Sequence, residues 1–153
     1  METQFHRLRF PSDNVIFIYL NDDVYIMADL IPADFHTHAM GTVPRLEAAL
    51  LVTPSPDPAR IVPAGEWNLL FASNALLSAR FGWRGCPYLQ HVPKTLSRIL
   101  LAQAAEMGPA EMGRTRAQRF RSMGLGAWGE GEDAIGVFLG VHQGMERWLK
   151  ALQ

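Results

Sequence analysis

Asn14-Val15-Ile16-Phe17-Ile18-Tyr19-Leu20, then Asn21-Asp22-Asp23, then Val24-Tyr25-Ile26-Met27-Ala28-Asp29-Leu30 is the stretch on which the fold turns. Two runs of β-branched and aromatic residues flank three turn formers, the signature of a β-hairpin. The first arm is apolar at consecutive positions, which predicts burial on both faces and a central place in a sheet covered by helices. A further strand over Gln4 to Phe10, stopped by Pro11, extends the hairpin to an antiparallel meander over about residues 4–30.

Downstream of this ribbon the periodicity changes to that of helices. Thr42 and Pro44 can open a short helix through Leu46 and Leu51, although Leu46 to Thr53 reads equally well as an edge strand. The prolines of Thr53-Pro54-Ser55-Pro56-Asp57-Pro58 force extended chain and mark an internal loop over 53–64. Trp67, Leu70, Phe71, Asn74, Leu77 and Phe81 form a stripe at helical spacing that ends at Gly82. Leu96, Ile99, Leu100 and Gln103 mark another helix, stopped at Gly108-Pro109, and the stretch 110–123 is polar enough to be largely exposed.

The last helix starts near Glu132-Asp133 and runs to about Leu152, with acids at its positive end and Arg147 and Lys150 at its negative end. Gly136, Gly140 and Gly144 recur along it, each costing roughly 1 kcal/mol of helix propensity relative to alanine. A close backbone approach offsets that cost, and a helix of the same chain is favoured over a homodimer through this face. The expected class is therefore α+β: an N-terminal meander packed on four to five helices, in one domain spanning 1–153.

With 48% hydrophobic and 19% charged residues over 153 positions, the chain can fill one core. The single Cys86 precludes an internal disulfide, no secretory signal opens the sequence, and no apolar run is long enough to cross a bilayer. These features predict a cytoplasmic protein with no membrane partner, and the bias of twelve Arg to two Lys suggests a GC-rich, bacterial-type source. Charge is uneven: residues 1–79 hold four Arg against nine Asp or Glu, net −5, while 80–121 hold seven Arg and one Lys against two Glu, net +6. The basic middle can meet phosphates or lie against the acidic first half.

Several constellations bear on chemistry. In Asp34-Phe35-His36-Thr37-His38, an extended backbone would project Asp34, His36 and His38 to one side, a donor set suited to zinc, manganese or iron that could activate water. Over these five residues the pattern resembles the Asp-x-His-x-His strand ends of amidohydrolase and polymerase-and-histidinol-phosphatase barrels. Those barrels need a longer chain and further ligands, and the His-x-His of JAMM-type metalloproteases is followed by residues absent here. Third ligands on offer are His91, His142, His6 and Glu66. Two histidines packing in a polar loop is the competing reading.

Cys86, beside Arg84 and followed by His91, could be a nucleophile or a small buried hydrophobe. Gly124-x-Gly126-x-x-Gly129-x-Gly131 spells a dinucleotide fingerprint, but no strand precedes it and acids follow it, which favours a plain loop. Arg114, Arg116, Arg119 and Arg121 fall on two sides of a helix, where either pair could grip phosphate or carboxylate. The function expected from this balance is a non-catalytic binding or regulatory domain, without cofactor, that engages a protein or nucleic acid through the arginines. The alternative is a metal-dependent hydrolase built on Asp34, His36 and His38.

Overall fold

The computed structural model describes residues 5, 7–12, 15–39, 41–54, 66–117 and 134–152. Its elements run β1 (Ile16–Tyr19), a single 3-10 turn (Pro32–Asp34), β2 (His36–Thr37), β3 (Gly41–Thr42), β4 (Leu46–Val52), α1 (Glu66–Phe81), β5 (Cys86–Leu89), β6 (Lys94–Ser97), α2 (Arg98–Ala105), α3 (Pro109–Ala117) and α4 (Gly136–Ala151). Short antiparallel strands and mostly C-terminal helices make the molecule α+β, as the sequence indicates. The expected loop from 55 onward, the Gln4 end of the first strand and the glycine-rich 124–131 lie outside the described residues.

The strand pairings differ from the hairpin expectation. β1 pairs antiparallel with β6, in the register Phe17 to Leu96 and Tyr19 to Lys94, and not with residues 24–30, which carry no strand. The reason is packing: β6 delivers Leu96 to the core at 2% exposure, whereas Tyr25 and Met27 on the rejected arm stay in solvent. Residues 7–12 likewise carry no strand; instead Phe5 and Phe10 set their rings against Phe17 on the inner face of β1. Only that face is covered, since Ile16 and Ile18 are exposed. The ambiguous segment at Leu46 is the strand β4, paired antiparallel with β5 across an irregularity between Glu47 and Leu51.

The core joins α1, α2 and α4 over the inner faces of the strands, with Phe71, Leu77, Leu96, Met112, Phe138 and Leu139 all at 2% exposure or less. α1 ends where its stripe predicts: Gly82 takes φ +91°, and its N–H donates to the Ser78 carbonyl at 2.9 Å. That left-handed residue closes the helix without the penalty a Cβ would bring. Ser73 Oγ donates to Leu69 O at 2.7 Å and accepts from Ile135 N at 2.8 Å, so α1 satisfies an orphan amide at the entry of α4. Ser97 caps α2, its Oγ accepting from Leu100 N.

The glycines of α4 serve an internal contact. A Cβ on Gly140 would stand 2.7 Å from Leu101 Cδ2, and one on Gly144 2.8 Å from Leu100 Cδ1. α2 therefore packs against Gly140 and Gly144 of α4, and these small residues let two helices of one chain approach. Beside this crossing, a cavity of about 530 Å³ opens between β3, β6, α2 and α4, lined by residues such as Leu100, Val141, Met145 and Trp148.

Candidate functional site

Among the described residues, the lining of this cavity carries no titratable side chain. Among the described residues, a second polar grouping forms where β1 ends and β6 begins. Antiparallel pairing of Tyr19 with Lys94 brings the turn Asn21-Asp22-Asp23 against the loop carrying His91. The turn is closed by Val24 N donating to Asn21 O at 3.2 Å.

His91 Nε2 lies 2.8 Å from Asp23 Oδ1 and 3.4 Å from Asn21 Nδ2. The nearer, charged carboxylate decides the tautomer: Nε2 donates to Asp23, which leaves Nδ1 as the basic nitrogen of the neutral ring. The hydrogen bond from His91 is the main cause that holds the Asp23 carboxyl below the usual carboxylate range. Lys94 Nζ, on the strand that opens after this loop, donates to Val92 O at 3.3 Å. The His91 and Asp23 side chains are 54% and 63% exposed, so a solute can reach them directly. An imidazole steadied by an ionised carboxylate can take a proton from a hydroxyl.

The residues singled out from sequence fall elsewhere. Asp34 ends the 3-10 turn and its Oδ2 accepts from Ile31 N at 2.9 Å, so it is not part of an extended run with His36 and His38. His36 pairs with Thr42 in the two-residue strand β2 and His38 follows in the turn before Gly41; both side chains are exposed. Among the described residues no three His, Cys, Asp or Glu gather to hold a metal ion. Of the third ligands considered, His91 belongs to the Asp23 pair and His142 is buried with Nε2 on Pro87 O at 2.9 Å; His6 and the Glu66 side chain lie outside the described residues.

Arg114 and Arg116 lie on α3, where Arg114 reaches Glu111 one turn back at 3.5 Å, and Arg119 and Arg121 are outside the described residues. Cys86 is buried, its Sγ donating to Asn74 Oδ1 at 3.4 Å, and burial with the nearby Glu146 pushes the thiol up to about 11 despite Arg84. A thiol held protonated is not a nucleophile at neutral pH. Sequence reading missed Asp23 altogether and placed His91 only as an accessory. The local signal was the polar triplet between two apolar runs, read as a turn alone.

No protein-family model matches the chain. Among curated proteins it is similar to the 3-O-alpha-D-mannopyranosyl-alpha-D-mannopyranose xylosylphosphotransferase of Cryptococcus neoformans var. grubii, 36% identical over 137 residues, which are 88% of this chain and 15% of that protein. It is also similar to the exopolysaccharide phosphotransferase of Nocardia farcinica, 32% identical over 122 residues, 80% of this chain and 23% of that protein. An exopolysaccharide phosphotransferase of Streptomyces coelicolor is 30% identical over 131 residues, 80% of this chain and 22% of that protein. The chain thus spans less than a quarter of the length of each of these relatives. The expectation of a non-catalytic binding or regulatory domain, and the metal-dependent hydrolase beside it, are overturned by these likenesses: proteins matched over most of this chain are transferases that act on glycans.

Proposed function

We propose that this chain takes part in transferring a sugar phosphate to a carbohydrate hydroxyl, with the pair His91 and Asp23 at the site of proton transfer. The likeness to xylosylphosphotransferase and exopolysaccharide phosphotransferases supports the reaction class. The observation that carries the site is the 2.8 Å contact between His91 and Asp23, which joins loops 68 residues apart.

In the reaction the acceptor hydroxyl loses its proton to His91 Nδ1 as its oxygen forms a bond to phosphorus. The bond from phosphorus to the leaving group breaks, and the electron pair departs with that group. Asp23 supports the imidazolium that forms.

The test supplies a panel of uridine diphosphate sugars with α-1,3-mannobiose as acceptor and follows the new phosphodiester by 31P NMR. His91→Ala should lower the rate roughly 10²- to 10⁴-fold, the range for loss of a positioned acid or base, and Asp23→Asn should lower it less. Unchanged transfer in His91→Ala would remove the site assignment. Absence of phosphodiester product with the unaltered protein across donors and acceptors would remove the reaction class.

A further inference from the structure

His91 and Asp23 are both largely exposed, and an exposed ion pair gains too little to hold two loops in place by itself. Its geometry has to come from the backbone beneath it. Both loops meet at one rung: Tyr19, the last residue of β1, faces Lys94, the first of β6. The turn that holds Asp23 departs from one side of that rung, and the loop that holds His91 arrives at the other.

The His91 loop is tied on both flanks. On its entry side Gln90 N donates to Arg45 O at 3.0 Å, which carries the pairing of β4 with β5 one step further. Val92 N then donates back to Gln90 O at 3.0 Å, closing a three-residue γ-turn with His91 at its centre. On the exit side Pro93 has no N–H to offer, and the tie is a side chain: Lys94 Nζ donates to Val92 O at 3.3 Å. Of these three ties it is the one that a substitution can remove.

We propose that Lys94 is a positioning residue for His91: its ammonium holds the Val92 carbonyl, and with it the γ-turn, in the conformation that brings the imidazole to Asp23. Its effect on rate rests on the reading of His91 as the acceptor of the hydroxyl proton, whereas its hold on the turn does not. Lys94 itself meets no reacting atom. Its leverage is geometric, since a displacement of about 1 Å can cost roughly 10²-fold in rate.

Lys94→Met keeps the half-buried stem and removes the ammonium, and Lys94→Arg keeps a charged donor. NMR of the intact chain reads the position without substrate. The wild type should show a nuclear Overhauser contact between the His91 ring and the Asp23 β-protons, together with protection of the Val92 amide. In Lys94→Met the contact should vanish and that amide should exchange at least roughly tenfold faster, with both restored in Lys94→Arg and circular dichroism unchanged in each. In the phosphodiester assay Lys94→Met should lower kcat roughly 10- to 100-fold and leave the KM values within about twofold, and Lys94→Arg should recover most of the rate. Adding Lys94→Met to His91→Ala should cost nothing further, because no imidazole is left to position.

An unchanged ring contact and amide exchange in Lys94→Met overturns the proposal. So does a general loss of the circular dichroism signal in that variant, which would make the lysine a fold residue. A rise in KM with kcat unchanged, or losses that add in the double variant, would mean that Lys94 meets substrate directly and would also overturn it. If the unaltered chain makes no phosphodiester, the reading of His91 as a base falls, and the spectra still decide whether Lys94 positions the ring.

Discussion

His142 makes the stability of this protein depend on pH in a way that can be isolated. The side chain lies at 3% exposure against the Phe138 ring, whose centroid is 4.4 Å from that of the imidazole. Burial pushes its pKa down from 6.5 to about 4, and the hydrogen bond to the Pro87 carbonyl only partly opposes this. In the folded chain the ring stays neutral until the pH nears 4, while the unfolded chain binds a proton as the pH passes 6.5. The unfolded state therefore holds more protons in that window, and stability falls as the pH falls. With these two values, linkage gives a loss of roughly 2 kcal/mol between pH 8 and pH 5, and about 3 kcal/mol by pH 4. Urea unfolding followed by circular dichroism at a series of pH values measures it, with His142→Gln as the comparison. Gln cannot titrate but can still donate to Pro87 O, so the variant should lose this slope while keeping its fold. If wild type and variant lose stability in parallel between pH 6.5 and 4, the buried neutral imidazole is not the cause and the reasoning fails.

Other consequences follow from named contacts. Asn74, fully buried, donates through Nδ2 to Val52 O at 2.6 Å and Arg84 O at 3.0 Å; Asn74→Ala strands both carbonyls and should cost about 2–4 kcal/mol in urea unfolding. Gly140→Ala drives a Cβ into the buried Leu101 side chain and should destabilise by about 1 kcal/mol after the gain in helix propensity, whereas Gly144→Ala meets the tip of half-buried Leu100 and should be close to neutral. Comparing the midpoints of the two alanine variants checks that order. Cys86 should resist a disulfide reagent at pH 8 in the native state and react promptly in urea, because burial keeps its thiol protonated.

The helices were legible because their signals are local. The stripe from Trp67 to Phe81 and the terminating Gly82 appear as α1, and the glycines of α4 foretold a close approach that α2 supplies. Asn74 sits on that apolar stripe although it is polar; its buried amide ties α1 to the β4 end and to the β5 entry, which no periodicity could say.

What the sequence by itself determined is the class of fold, the course of α1 and the turn at Asn21 to Asp23, since propensity, capping and backbone freedom act over a few residues. What only the tertiary structure decided is which strand lies beside β1. The apolar run at Ile16 states a need for partners without naming them, and β6 won over the adjacent arm because Leu96 buries where Tyr25 and Met27 do not. That pairing carries His91 to Asp23 across 68 positions, so the candidate site follows from a long-range choice that no local pattern encodes.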